Sequence, residues 1–108
     1  MAYAEVCRLE DLADNKPHQL TVDGFDLAVV KVDDAVYAVD DLCTHAAVSL
    51  SEGDVENCRI ECWMHGSMFD LRTGEPSGPP ATEPVATYAT KIEDGLVLVD
   101  IDQQTNDA

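Results

Sequence analysis

Two short cysteine–histidine segments constrain this chain more than any other feature. Cys43-Thr44-His45 and Cys62-Trp63-Met64-His65-Gly66-Ser67 lie sixteen residues apart, within a stretch from Leu42 to Gly74 that holds three of the four cysteines and two of the three histidines. Cys7, Cys58 and His18 have no comparable partners. Each segment offers one thiolate and one imidazole, so two loops brought together make a four-ligand Cys2His2 site. Function is to be sought there.

The scaffold around these loops reads as β structure. Short alternating runs broken by turn residues fill the first forty or so positions. Tyr3–Arg8, His18–Val22, Phe25–Val32 and Ala35–Val39 are expected as strands, with a polar connection over Asp11–Pro17, a turn at Asp23-Gly24 and a tight hairpin at Asp33-Asp34. Arg59–Cys62 and Met68–Leu71 are further strands, the second closing in Arg72-Thr73-Gly74, so both ligand loops fall at hairpin ends. Gly66, directly after His65, lets the backbone approach a metal centre without a Cβ. Residues 75–84 hold four of the five prolines and can be neither helix nor central strand. Val85–Ile92 and Leu96–Ile101 flank Glu93-Asp94-Gly95, a hairpin signal, and the polar tail from Asp102 to Ala108 is expected to fray. His18 reads as a solvated side chain, Cys7 as a small core residue and Cys58 as lying outside both ligand loops. No sustained helical period, repeat or linker is visible.

Length and charge narrow the function classes. A chain of 108 residues suits one domain with a single core and leaves no room for a separate catalytic domain. No apolar run approaches the ~20 residues of a spanning helix, and Met1–Glu5 lacks a secretory pattern, so a soluble cytoplasmic protein is expected. In a reducing compartment, paired Cys and His read as metal ligands rather than disulfide partners. The net charge of −16 argues against nucleic acid and anionic membranes as partners. It suits steering toward basic docking patches, and equally solubility or adaptation to a salty cytoplasm.

Zinc is the first candidate for a Cys2His2 set, but structural zinc sites usually pair like with like in each limb. Here each limb is mixed, Cys-x-His and Cys-x2-His. Mixed limbs suit a binuclear centre in which one iron takes both cysteines and the other both histidines, the Rieske arrangement.

Over nearly its full length the chain resembles the small Rieske-type [2Fe-2S] ferredoxins, the soluble ferredoxin components of ring-hydroxylating dioxygenase systems. The likeness rests on Cys43-Thr44-His45, Leu50-Ser51-x-Gly53, Cys62 through Ser67, Phe69-Asp70 and Thr73-Gly74. It implies an all-β Rieske fold of three stacked antiparallel β-sheets in a single domain over 1–108: a basal β-sandwich (1–41 and 75–103) with a small cluster-binding subdomain inserted at 42–74. It implies one [2Fe-2S] cluster, with Cys43 and Cys62 on an inner iron, His45 and His65 on an outer one, and a Pro-rich loop, here Gly78-Pro79-Pro80, over one side. Respiratory and photosynthetic relatives tie the two loops with a disulfide, but the matching positions here are Val48 and Met64. Those relatives also carry an N-terminal membrane helix, which this sequence lacks. Trp63 stands where many relatives have Pro, either on a partner-facing rim or as a hydrophobic shield. Ser67 occupies a position whose hydroxyl reaches a cluster sulfur in high-potential relatives, whereas Phe69 replaces the tyrosine that supplies a second such bond. The implied function is a monomeric one-electron carrier that transforms no substrate. It would link a flavin-dependent reductase to a terminal oxygenase through an exposed histidine face. A Rieske carrier or redox sensor serving cluster assembly or a nitrite-reductase-like complex, and a structural zinc-binding interaction module, are the alternatives.

Overall fold

The computed structural model describes residues 3–42, 48–63, 66–78 and 83–106. Among them nine strands follow one another: β1 (Ala4–Arg8), β2 (Pro17–Val22), β3 (Phe25–Val32), β4 (Ala35–Asp40), β5 (Val55–Glu56), β6 (Arg59–Glu61), β7 (Met68–Asp70), β8 (Thr87–Glu93) and β9 (Leu96–Gln104). Short 3-10 turns at Leu9–Asp11 and Leu50–Glu52 complete the elements. None of these is a helix long and apolar enough to cross a membrane.

The apolar run Leu27-Ala28-Val29-Val30 in β3 explains the layering. Side chains alternate across a strand, and all four are buried here. Leu27 and Val29 enter a first core with Leu12, Val22, Val36, Ala38, Val97 and Val99. Ala28 and Val30 enter a second with Val39, Leu50, Val55, Ile60, Cys62, Phe69, Leu71 and Val85. Strands β2–β4 are thus a middle layer, with β1 and β9 across the first core and the small β5-β6-β7 sheet across the second. Each fully buried Val or Leu contributes about 1.5–3 kcal/mol of transfer free energy, so a charge at Val29 or Val30 would open one core or the other.

The three stacked layers agree with the expected Rieske architecture, with one refinement. Hydrogen bonding joins the two basal layers into one six-stranded antiparallel sheet, in the order β1-β9-β8-β4-β3-β2. The junction is narrow: β4 meets β8 at two residue pairs, Ala38↔Tyr88 and Val39↔Thr87.

Three expectations need correction. His18 is not solvated: it is half-buried, and its Nε2 is sealed from solvent with no hydrogen-bond partner among the described residues. The cause is register, since His18 pairs with Val29 and therefore faces the first core, as Leu20 and Val22 do. The tail does not fray from Asp102. Strand β9 continues to Gln104, and Asn106 hydrogen-bonds to the backbone of Thr73, Val85 and Thr87. Lastly, Val55–Glu56 forms a strand the sequence reading passed over, and its hairpin with β6 turns on Asn57 and Cys58, both at positive φ (54° and 61°).

Candidate metal centre

Both loops that carry the expected ligands have hydrogen-bonded necks resting on the second core. At the first neck, Leu42 and Ser49 form an antiparallel bridge, and the Leu50 N–H donates to the Asp41 carbonyl. The Asp41 carboxylate, 2% exposed, is saturated: Oδ1 accepts the Ser51 N–H at 2.7 Å, and Oδ2 accepts Gln19 Nε2 at 2.6 Å and Ser51 Oγ at 3.1 Å. A buried carboxylate left unpaired would be costly, so these bonds tie the first loop to β2 and to the 3-10 turn. Neighbouring Asp40 is partly buried, which pushes its carboxyl pKa up. The Tyr88 hydroxyl donates to it and works against that shift, while the Asp41 charge adds to it.

The second loop joins β6 to β7. The Cys62 N–H donates to the Ser67 carbonyl at 2.7 Å and the Gly66 N–H to the Cys62 carbonyl at 2.9 Å, closing the backbone at both ends of the intervening residues. Gly66 has φ +78°, and a Cβ there would meet no described atom closer than Glu61 Oε2 at 4.0 Å, so what the position visibly requires is the left-handed backbone. Cys62 and Ser67 are buried, at 0% and 3% exposure. The two necks touch through Gly53, whose absent Cβ would sit 1.8 Å from the Glu61 carbonyl oxygen. Glu61 directly precedes Cys62.

Of the four expected ligands, Cys62 is placed by the structure; Cys43, His45 and His65 lie outside the described residues, as do Met64, Pro79 and Pro80. Among the described residues no three His, Cys, Asp or Glu side chains converge on a metal position. Val48, at one of the positions that bear a cysteine in disulfide-tied relatives, packs half-buried against the second core. Cys7 packs against the first core, and burial first, then the nearby Asp11 charge, push its thiol pKa up, as suits an inert core residue. Cys58 lies at the edge of the second core beside Tyr37, whose hydroxyl is pushed up by burial and then by Cys58. In the turn after β7, Arg72 Nε and Nη2 donate to Asp70 Oδ1 and Oδ2 at 3.2 and 3.1 Å, holding that carboxyl below its usual range.

Leu42 and Trp63, each next in sequence to an expected ligand cysteine, are 60% and 48% exposed. A buried thiol on an apolar floor of Leu50, Ile60, Phe69, Leu71 and Val85, flanked by two closed loop necks, fits an iron–sulfur cluster whose cysteine side is inward.

The description of the Rieske [2Fe-2S] domain matches residues 2–89, and the chain belongs to that family. Within it the chain is similar to the ferredoxin component of a naphthalene 1,2-dioxygenase system of Pseudomonas putida, 36% identical over 92% of this chain and 95% of the relative. Among solved structures it is similar to the ferredoxin of carbazole 1,9a-dioxygenase from Nocardioides aromaticivorans IC177, with TM-score 0.88, 35% identity and coverage of 92% and 97% of the two chains. It also matches a chain in a complex of reduced oxygenase and oxidised ferredoxin of carbazole 1,9a-dioxygenase, with TM-score 0.85, 36% identity and coverage of 90% and 91%. The chain is accordingly a Rieske-type ferredoxin: it carries one [2Fe-2S] cluster and transfers electrons without catalysing a substrate reaction itself.

Proposed function

We propose that this ferredoxin accepts single electrons from a flavin-dependent reductase and delivers them to a terminal oxygenase of the ring-hydroxylating type, as a cytoplasmic monomer. The supporting observation is the end-to-end likeness, in sequence and in fold, to ferredoxin components of dioxygenase systems, one of them solved with its oxygenase. Cys43 and Cys62 hold one iron and His45 and His65 the other, within a single domain over 1–108 whose subdomain 42–74 sits on the basal scaffold. When bound, the cluster supplies a one-electron couple.

The chain's own residues prepare that site for exchange with other proteins. Cys62 presents its thiolate from a dry floor, while Asp41 and Ser51 brace the first loop neck and Gly53 lets it lie against the second. Leu42 and Trp63, each next in sequence to a ligand cysteine, are exposed apolar side chains of the kind that anchor a docked protein. The −16 charge steers that encounter toward basic patches.

Two measurements test the reading. Metal and sulfide analysis should give about two irons and two acid-labile sulfides per chain, retained in Cys7→Ser and Cys58→Ser and lost in Cys43→Ser; one zinc without sulfide would sink the ligand assignment. Stopped-flow reduction by flavoprotein reductases, followed by reoxidation by ring-hydroxylating oxygenases, should show both half-reactions. A loaded protein that exchanges electrons with neither, yet does so with a nitrite-reductase-type flavoprotein, would redirect it to another pathway.

A further inference from the structure

The end of the chain closes the neck of the Pro-rich segment. Asn106 Nδ2 donates to the Thr73 carbonyl at 2.9 Å and to the Val85 carbonyl at 2.8 Å, while its Oδ1 accepts the Thr87 N–H at 3.1 Å. The Val85 N–H donates to the Gly74 carbonyl at 2.9 Å. One amide side chain therefore bridges the point where residues 75–84 leave the fold and the point where they rejoin it. Gln104 Nε2 donates to the Asn106 carbonyl (3.0 Å) and to Oδ1 (3.2 Å), and the Thr105 N–H donates to the Thr87 carbonyl (2.8 Å), so the amide is itself held in place. The neck is tight by construction. A Cβ on Gly74 would sit 2.1 Å from the Val85 carbonyl oxygen and 2.5 Å from Asn106 Nδ2.

From this neck a continuous ladder leads to the second ligand loop. The outgoing leg runs antiparallel beside β7: the Asp70 N–H donates to the Glu75 carbonyl at 2.9 Å, Phe69 and Pro76 form a bridge, and the Ser77 N–H donates to the Met68 carbonyl at 2.7 Å. The Met68 N–H returns a longer bond to Ser77 Oγ at 3.4 Å. Met68 is next in the chain to Ser67, the buried residue whose carbonyl accepts the Cys62 N–H. What fixes the neck also fixes the leg that flanks β7, the strand that leads out of the second ligand loop.

We infer that Asn106 is a positioning residue for the cluster site, a latch in the chain's tail that holds the Glu75–Ser77 leg against β7 and so limits water at the second ligand loop. The inference rests on the cluster reading above. Opening the latch admits solvent, and solvent favours the more negatively charged reduced state, so the potential moves in the positive direction.

The test compares cluster-loaded wild type, Asn106→Ala, and Gln103→Ala as a control on the same strand end, whose side chain accepts from Tyr3 and is exposed. In Asn106→Ala the amides of Val85 and Thr87 should exchange faster, the midpoint should shift positive, and chelator bleaching should be several-fold faster, while Gln103→Ala matches wild type. A wild-type midpoint and bleaching rate in Asn106→Ala overturns the inference, whether or not amide exchange accelerates, because the residue then only ties down the tail. Should the alanine variant fail to fold, Asn106→Ser, which removes the paired donors with less loss of polarity, is held to the same two readouts. Failure of the cluster reading looks different: wild type itself would lack iron–sulfur absorption, whereas the exchange comparison needs no cluster.

Discussion

Gly53 gives the most direct measure of how tightly the two ligand loops are coupled. Its backbone is ordinary extended chain, φ −92° and ψ −175°, so conformational strain plays no part. What alanine would meet is the Glu61 carbonyl, with oxygen at 1.8 Å and carbon at 2.9 Å from the new Cβ. Restoring ordinary contact at about 3.4 Å requires the two backbones to part by about 1.6 Å. Neither side yields easily: the Gly53 N–H is bonded to Leu50, the Glu61 N–H to Asp54, and Ile60 pairs with both Val55 and Phe69. Overpacking of a well-packed site costs about 1–3 kcal/mol, occasionally more, and a clash against backbone belongs at the upper end. With an unfolding entropy of ~2.1 cal/mol/K per residue over 108 residues, about 3 kcal/mol lowers Tm by about 13 °C. Because Glu61 precedes Cys62, iron and sulfide per chain should fall as well. The assay is thermal unfolding by far-ultraviolet circular dichroism at a fixed scan rate, beside metal analysis. Gly78→Ala, with no described atom within 4 Å and no positive φ, is the control and should stay within about 0.5 kcal/mol. Gly95→Ala, unobstructed but at φ +75°, should lose about 1–2 kcal/mol through strain with full cluster content. A Gly53→Ala protein that melts within about 2 °C of wild type and carries a full cluster would refute the reasoning.

Other expectations address electrostatics and potential. The rate of reduction by the reductase should fall as salt rises, because screening shortens the field of the −16 surface to about 8 Å near physiological ionic strength; a flat or rising rate would favour solubility or salt adaptation as the reason for the charge. Ser67→Ala should lower the midpoint by about 40 mV if the hydroxyl bond is about 1 kcal/mol stronger in the reduced state, and Phe69→Tyr should raise it similarly; voltammetry with cluster content checked decides. Asp40, whose carboxyl is raised by burial, holds its proton more tightly folded than unfolded, so at neutral pH its ionised form weighs against the fold, and that penalty fades as pH falls through the folded pKa toward the unfolded one. Asp40→Asn should therefore gain on wild type in urea unfolding at pH 7 and lose that advantage below the carboxylate range; an advantage constant with pH would contradict this assignment.

Legibility in the sequence followed the physics of each segment. The expected ligand pairs stand out by spacing, with only Cys62 of the four among the described residues, and β3, β4 and the β8–β9 hairpin showed through apolar runs with turn residues between. His18 was legible in principle, since His18-x-Leu20-x-Val22 alternates in phase with the inward face, yet a polar side chain beside Pro17 reads as exposed. Asn106 was not. Its part is played by side-chain-to-backbone bonds across 33, 21 and 19 residues, which leave no periodic trace in a polar tail. Val55–Glu56 escaped because a two-residue strand has no period, and its turn places Cys58 where glycine is usual.

Strand β3, buried on both faces, also bears on how the chain avoids misfolding. Where one face of a strand is wet, polarity penalises a one-residue slip at once; here Leu27 and Val29 could trade places with Ala28 and Val30 at no cost in polarity. The register must be imposed from the ends. Asp23 and Gly24, at φ 49° and 86°, form a two-residue reversal before β3, and Asp33, at φ 55°, begins the one after it. An insertion of one residue at Asp23-Gly24 would turn Leu27 and Val29 toward the cluster layer and leave the smaller Ala28 to fill the basal core. The fit beneath Cys62 is thus decided in a loop far from it in sequence, made of residues that belong to neither ligand segment.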